Sequence, residues 1–136
     1  MSTLSVATIK SADSDPSNFH NSSGTEVGQL IRAWVHFDGY NNQVDASFNI
    51  SSVTDVGTGH YKFNFTTAFV DANYSWTGTG STAGTTRDTM RLIGFMATDS
   101  TVSNNAQLAA STSVKTELST NNQLYDTDHV MIQWAR

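Results

Sequence analysis

The chain has 136 residues, no cysteine and a net charge of -5, and only 14% of it is charged against roughly 25% in an ordinary globular protein. That length suits one domain with a real core. The balance excludes a disulfide framework, a thiolate metal site and the basic footprint of a nucleic-acid binder.

Ser, Thr, Asn and Gly make up about 40% of the chain, well above typical usage. Polarity here comes from hydroxyls and amides rather than from ions, as on many secreted and virion β-proteins. Residues 3–10, "TLSVATIK", alternate weakly and predict a short strand. The start lacks the basic stretch and apolar run of a signal peptide, and no window is apolar enough to span a membrane. The expectation is a protein made in a cytoplasm and carried elsewhere by assembly, with no membrane partner. Residues 11–26, "SADSDPSNFHNSSGTE", hold the only Pro and almost no apolar side chains. They predict an extended arm that orders only against a partner chain or the body. The domain reading is therefore an arm over 1–27 and a body over 28–136.

From residue 28 the apolar side chains recur with period two. "QLIRAWVHF" (29–37) puts Ala33, Val35 and Phe37 on one face and Arg32, Trp34 and His36 on the other. "DGYNN" (38–42) is a turn, and "QVDASFNI" (43–50) predicts Val44, Ala46, Phe48 and Ile50 on a common face. "SVTDV" (52–56), a "GTG" loop (57–59) and "HYKFNFT" (60–66) read as a hairpin. Its Tyr61, Phe63 and Phe65 line one face and are expected to pack on Ala33, Val35 and Phe37, or on Val44 and Phe48. Asp71 and Asn73 predict a turn, and "NYSWTGTG" (73–80) a strand fading into glycine. After a loop at 81–88, "TMRLIGFMA" (89–97) is a strand-length apolar run of the kind buried on both faces. A polar connection (99–111) leads to "TSVKTELS" (112–119), a turn region (120–128) and a closing strand, "HVMIQWA" (129–135). "NNAQLAASTSVKTEL" competes as a helix, against its Thr, Ser and Asn content. The pattern predicts an all-β protein, an antiparallel β-sandwich of about eight short strands with an extended N-terminal arm.

No chemistry stands out. His20, His36, His60 and His129 form no metal-ligand spacing. There is no Gly-x-Ser-x-Gly elbow, no phosphate loop with its lysine, and no evident carboxylate pair. "DSD" (13–15) and "DTD" (126–128) lack the rest of a calcium loop. We therefore expect no catalytic residues, no metal and no cofactor. Three tryptophans remain. Trp134 shares a face with Val130 and Ile132 and reads as core. Trp34, with Arg32 beside it, reads as a subunit-interface or ligand contact. For Trp76, beside the Gly-rich loop, core packing and ligand contact stand level; with Arg87 it is the candidate ligand-binding side chain, suited to stacking on or hydrogen-bonding a sugar.

"RAWVHFDG" (32–39) followed by "ASFNISSVTDVGTGHYKFNFTTAFVDANY" (46–74) resembles a module common in tail-fibre and other virion proteins of marine tailed phages, including cyanophages. The match runs through Arg32, Ala33, Trp34, Val35, Phe37 and Gly39. It continues through Phe48, Asn49, Ser51, Ser52, Thr54, Asp55, Gly57, Thr58, Gly59 and Tyr61, and then Asn64, Phe65, Thr66, Thr67, Asp71, Ala72, Asn73 and Tyr74. It covers about residues 1–76. The chain departs from the module at Val70, where proline is usual, and at "DGYNNQV" (38–44), where a Gly-Thr turn is usual. The resemblance implies a virion structural role as a homotrimer. The leading expectation is a tail-fibre or fibre-tip component, with the arm docking on other virion proteins or trimerising and the body facing the host surface, where a glycan is the candidate partner. A head decoration protein and a free carbohydrate-binding module are the alternatives.

Overall fold

Alternation of apolar and polar side chains decides which surface each strand presents to the core. In β3 (Ile31–Asp38), Ala33, Val35 and Phe37 are buried while Trp34 between them is exposed. The computed structural model describes residues 19–28, 30–81, 90–95, 107–118 and 123–136, and the predicted strand at 3–10, the loop at 81–88 after Ser81 and most of the 99–111 connection lie outside them. The described residues contain eleven strands and no helix.

The chain divides between Leu30 and Ile31. In the first unit, β1 (Phe19–His20) and β2 (Glu26–Gly28) pair antiparallel. This differs from the extended arm read from the sequence. The cause is a local turn. Asn21 Oδ1 accepts from the amides of Ser23 and Thr25, both at 3.0 Å, and Gly24 takes a left-handed φ of 77°. Side chain–backbone bonds thus form a hairpin where apolar residues are scarce.

The second unit is an antiparallel sandwich. Its further strands are β4 (Gln43–Phe48), β5 (Ile50–Gly57), β6 (His60–Phe65), β7 (Ser75–Ser81), β8 (Met90–Phe95), β9 (Gln107–Leu108), β10 (Ser111–Leu118) and β11 (His129–Ala135). Hydrogen bonding runs in the order β4-β3-β11-β7-β8-β10-β6-β5, and β9 pairs with β10. The path folds over at the short β7–β8 pairing, so that rings from β3 and β11 meet rings of β6. Phe37 lies edge-on to Tyr61 and Phe63, with ring centroids 5.0 and 5.7 Å apart. Phe65 does the same with Trp134 at 5.4 Å and Phe69 at 4.8 Å. Each such pair adds about 0.5–1.5 kcal/mol beyond burial. Burying each large side chain contributes roughly 1.5–3 kcal/mol. The expected packing on Phe37 is thus present for Tyr61 and Phe63, while Phe65 packs on Trp134 and Phe69 instead. The helix rival is absent: residues 111–118 are β10, in which Thr112, Val114 and Thr116 are buried.

The single apolar face expected for 43–50 does not exist. Two backbone interruptions change it. Ala46 pairs with His36 and Val44 with Phe37, so Asp45 is an extra residue and the ladder is bulged there. Asn49 then takes a left-handed φ of 59°. Phe48 and Ala46 therefore share the outer face with Trp34 and His36, while Ile50 packs against the core. Phe48 is 56% exposed. The alternative expectation, Phe48 as a partner of the Tyr61–Phe65 face, is corrected accordingly. The loop expected at Gly57–Gly59 is also shorter than read: Gly57 pairs with His60, and Thr58 and Gly59 alone make the turn.

Candidate functional site

The residues that carry the sequence motif tie the sandwich together at its two ends. At one end Asp126 Oδ1 accepts from the Gly59 amide and from the Tyr61 hydroxyl, both at 2.7 Å. The same hydroxyl lies 3.2 Å from the Gly39 carbonyl, and the Gly39 amide donates to Thr127 O at 2.8 Å. Burial pushes the Tyr61 phenol far above its usual range, and the bond and charge of Asp126 push the same way. It therefore stays a neutral donor. A Cβ on Gly39 would stand 2.4 Å from the Tyr61 oxygen. At Gly59, φ is +62° and a Cβ would meet the Tyr125 amide nitrogen at 2.6 Å and the Thr116 oxygen at 2.8 Å. Glycine is thus required twice at this end, for space and, at Gly59, also for conformation.

At the other end Asn49 Nδ2 donates to Arg32 O (3.1 Å) and Thr67 O (3.0 Å), while its Oδ1 accepts from Thr67 N at 2.7 Å. Asp71 Oδ1 caps the turn by accepting from Asn73 N at 2.7 Å. The Tyr74 hydroxyl lies within 3.0 Å of Leu108 O and 3.2 Å of Ser111 O, anchoring β9 and β10. These motif residues have structural work and do not line the open groove on the outer sheet face; of the matched positions, Trp34 and Val35 do.

The surface left over is the outer face of β4-β3-β11-β7. Register sets two rows across it. Phe48, Trp34, Gln133 and Thr77 form one, and Ala46, His36, Met131 and Thr79 form the next. Between Trp34 and His36 on one side and Thr77 and Thr79 on the other runs an open groove of about 460 Å³, floored by Met131 and Gln133. That volume lies within the usual range of small-molecule sites. Trp34 is 40% and Met131 45% exposed. Among the described residues, no lysine, arginine, aspartate or glutamate lines the groove. Gly78, on the inner side of β7, leaves room for Ile132 and Ile93, which keeps β7 close to the core.

Beside the groove, His36 Nε2 and His129 Nδ1 share a hydrogen bond of 3.3 Å, and Asp45 Oδ2 is 3.7 Å from His36 Nε2. The contact fixes the His36 ring at the groove edge. Among the described residues, no three His, Cys, Asp or Glu are grouped to hold a metal ion.

The side chains singled out in the sequence separate in space. Trp34 lies on the groove. Arg32 is half-buried with its guanidinium 5.3 Å from the Phe69 ring centroid, so its charge is engaged within its own chain. Of the two readings of Trp76, the structure shows the core neighbour. It pairs with Trp134, shares the inner parity of Gly78 and Gly80, and packs partly buried on the aromatic core. The outward positions beside it belong to Thr77 and Thr79. Arg87 lies outside the described residues. Sequence reasoning missed Thr77, Thr79, Met131 and Gln133. Their signal was the parity of "SWTGTGS" and "HVMIQWA", which leaves polar or flexible side chains outside, but only strand order brings the two together. In comparisons with known proteins, no family model, no curated protein and no solved structure matches the chain.

Proposed function

We propose that the chain is a structural component of a phage virion, a tail-fibre or fibre-tip module that assembles as a homotrimer, is mounted through its N-terminal segment and contributes to host-surface attachment. Its role is binding rather than catalysis. The observation that supports this best is where the motif residues fall. Gly39, Asn49, Gly59, Tyr61, Thr67, Asp71, Asn73 and Tyr74 each make or admit a bond or close contact that holds the sandwich. A resemblance built on such residues speaks for a shared scaffold rather than for shared composition, and a scaffold leaves recognition to its free surfaces. The low charge and hydroxyl-rich surface suit an exposed particle protein.

Immunogold labelling of virions that carry the chain, with light scattering on the purified protein, tests the proposal. Label at fibre tips and a mass of three copies are expected. A monomer at micromolar concentration would contradict the trimer, and label on the head would turn the reading to a decoration protein. The exposed groove favours a second reading, a free carbohydrate-binding module, which would be monomeric and absent from particles.

A further inference from the structure

We propose that the groove on the outer face of the β4-β3-β11-β7 sheet is a binding site for a neutral saccharide, with Trp34 as its stacking platform. The inference deepens the attachment reading by naming the surface and the ligand class, and rests on that reading only for its biological setting.

The chemistry of the lining selects the ligand. The exposed Trp34 and Met131 side chains offer an apolar surface. Around it stand the Gln133 amide, the Thr77 and Thr79 hydroxyls and the His36 ring, all of which can donate or accept hydrogen bonds. A ligand that satisfies both needs an apolar face and a rim of hydroxyls, which describes a pyranose ring. The described groove-lining residues carry no fixed cation or carboxylate. A phosphate, sulfate or uronate would therefore enter without a partner for its charge, at a cost in desolvation. From Trp34 on β3 to Thr77 on β7 the groove spans two strand spacings, about 10 Å, room for one or two rings laid across the sheet. The platform is held from below: β3 and β11 present Val35, Phe37, Ile132 and Trp134 to the core on their reverse face, and the His36–His129 contact fixes the groove edge. Little is lost in ordering such a site on binding. Its position on strands distinguishes it from the loop contacts expected at Trp76 and Arg87.

The test uses the purified full-length protein in affinity electrophoresis through gels containing neutral polysaccharides (a β-glucan, a mannan and a galactan) or acidic ones (alginate and a sulfated galactan). We expect retardation in at least one neutral gel and none in the acidic gels. Trp34→Ala should weaken that retardation at least tenfold with the melting temperature unchanged, and Thr79→Val, which removes only a hydroxyl, should weaken it by a smaller factor. Trp76→Phe should leave it unchanged. Retardation in acidic gels alone, in none of the gels, or equally for wild type and Trp34→Ala would overturn the proposal. The readout does not depend on where the protein resides in a particle, so a failed virion localisation with intact binding would remove the fibre reading and leave the site standing.

Discussion

Strands β3 and β11 each have two faces, and the faces differ in what completes them. On the inner face Trp134 is 0% exposed and meets Phe63 and Phe65; on the outer face Trp34 is 40% exposed beside an open groove. Inner-face rings are surrounded by rings of the same chain. The outer face has the same alternation and an equally large aromatic, but its neighbours are Phe48, Gln133, Met131 and Thr77, spread on a single layer. Period two thus reports that a strand has distinct faces, and only the partner layer decides which face is stabilising and which is free to bind.

The comparison is broken most strongly by truncating one ring on each face. Phe63→Ala should cost about 3–5 kcal/mol, through lost burial and a cavity between the layers. Trp34→Ala should cost under about 1 kcal/mol, as for an outer-face residue. Urea unfolding of both variants checks this, and equal losses would mean that the outer face is also core.

Next comes the end of the sandwich that fixes the β5–β6 hairpin. Gly59→Val should destabilise by about 2–4 kcal/mol, combining a disfavoured φ with collision against the Tyr125 backbone. Thr58→Val, on an exposed position of the same turn, should change stability by under about 0.5 kcal/mol. Matching melting temperatures for the two would remove the turn geometry described here. A smaller step removes one atom: Tyr61→Phe leaves Asp126 Oδ1 with the Gly59 amide alone, and should cost about 1–3 kcal/mol. Unaltered stability would show that the phenol oxygen is not part of the anchor.

The smallest effect is a pH dependence. His60 is buried, its Nε2 has no hydrogen-bond partner among the described residues, and burial lowers its pKa, with Asp55 opposing. A proton then favours the unfolded chain. Stability from neutral His60 is complete above the unfolded value of about 6.5 and is lost as pH falls through it toward the lowered folded value. Asp38 acts elsewhere. Its carboxyl is held low chiefly by the side-chain bond from Asn41, so its contribution is lost only below the usual carboxylate range, about 4. Between about pH 7.5 and about pH 5 the melting temperature should therefore fall less in His60→Phe than in the wild type. Parallel slopes would contradict a buried neutral His60.

How much of this was legible in the sequence varies by physical cause. The strands of the core were, because Ala33, Val35, Phe37 and Val130, Ile132, Trp134 alternate without interruption. The face of β4 was not, because a bulge at Asp45 and a left-handed Asn49 leave composition unchanged while reversing side-chain direction. Trp76 stood beside a glycine-rich loop and could be read either way, and its parity, shared with Gly78, places it against the core. The Asp126–Tyr61 bond joins residues 65 positions apart, beyond any local pattern. The groove depends on β3, β11 and β7 lying side by side, an order that follows from the whole topology.

The most direct measurement uses the three tryptophans as internal reporters. Protein labelled with 5-fluorotryptophan gives three fluorine resonances, assigned with Trp34→Phe, Trp76→Phe and Trp134→Phe. On titration with the neutral oligosaccharide retained in the gels, the Trp34 resonance should shift and saturate while those of Trp76 and Trp134 stay in place. A fixed Trp34 resonance, or a saturating shift confined to Trp76 or Trp134, would contradict the division between a structural inner face and a binding outer one.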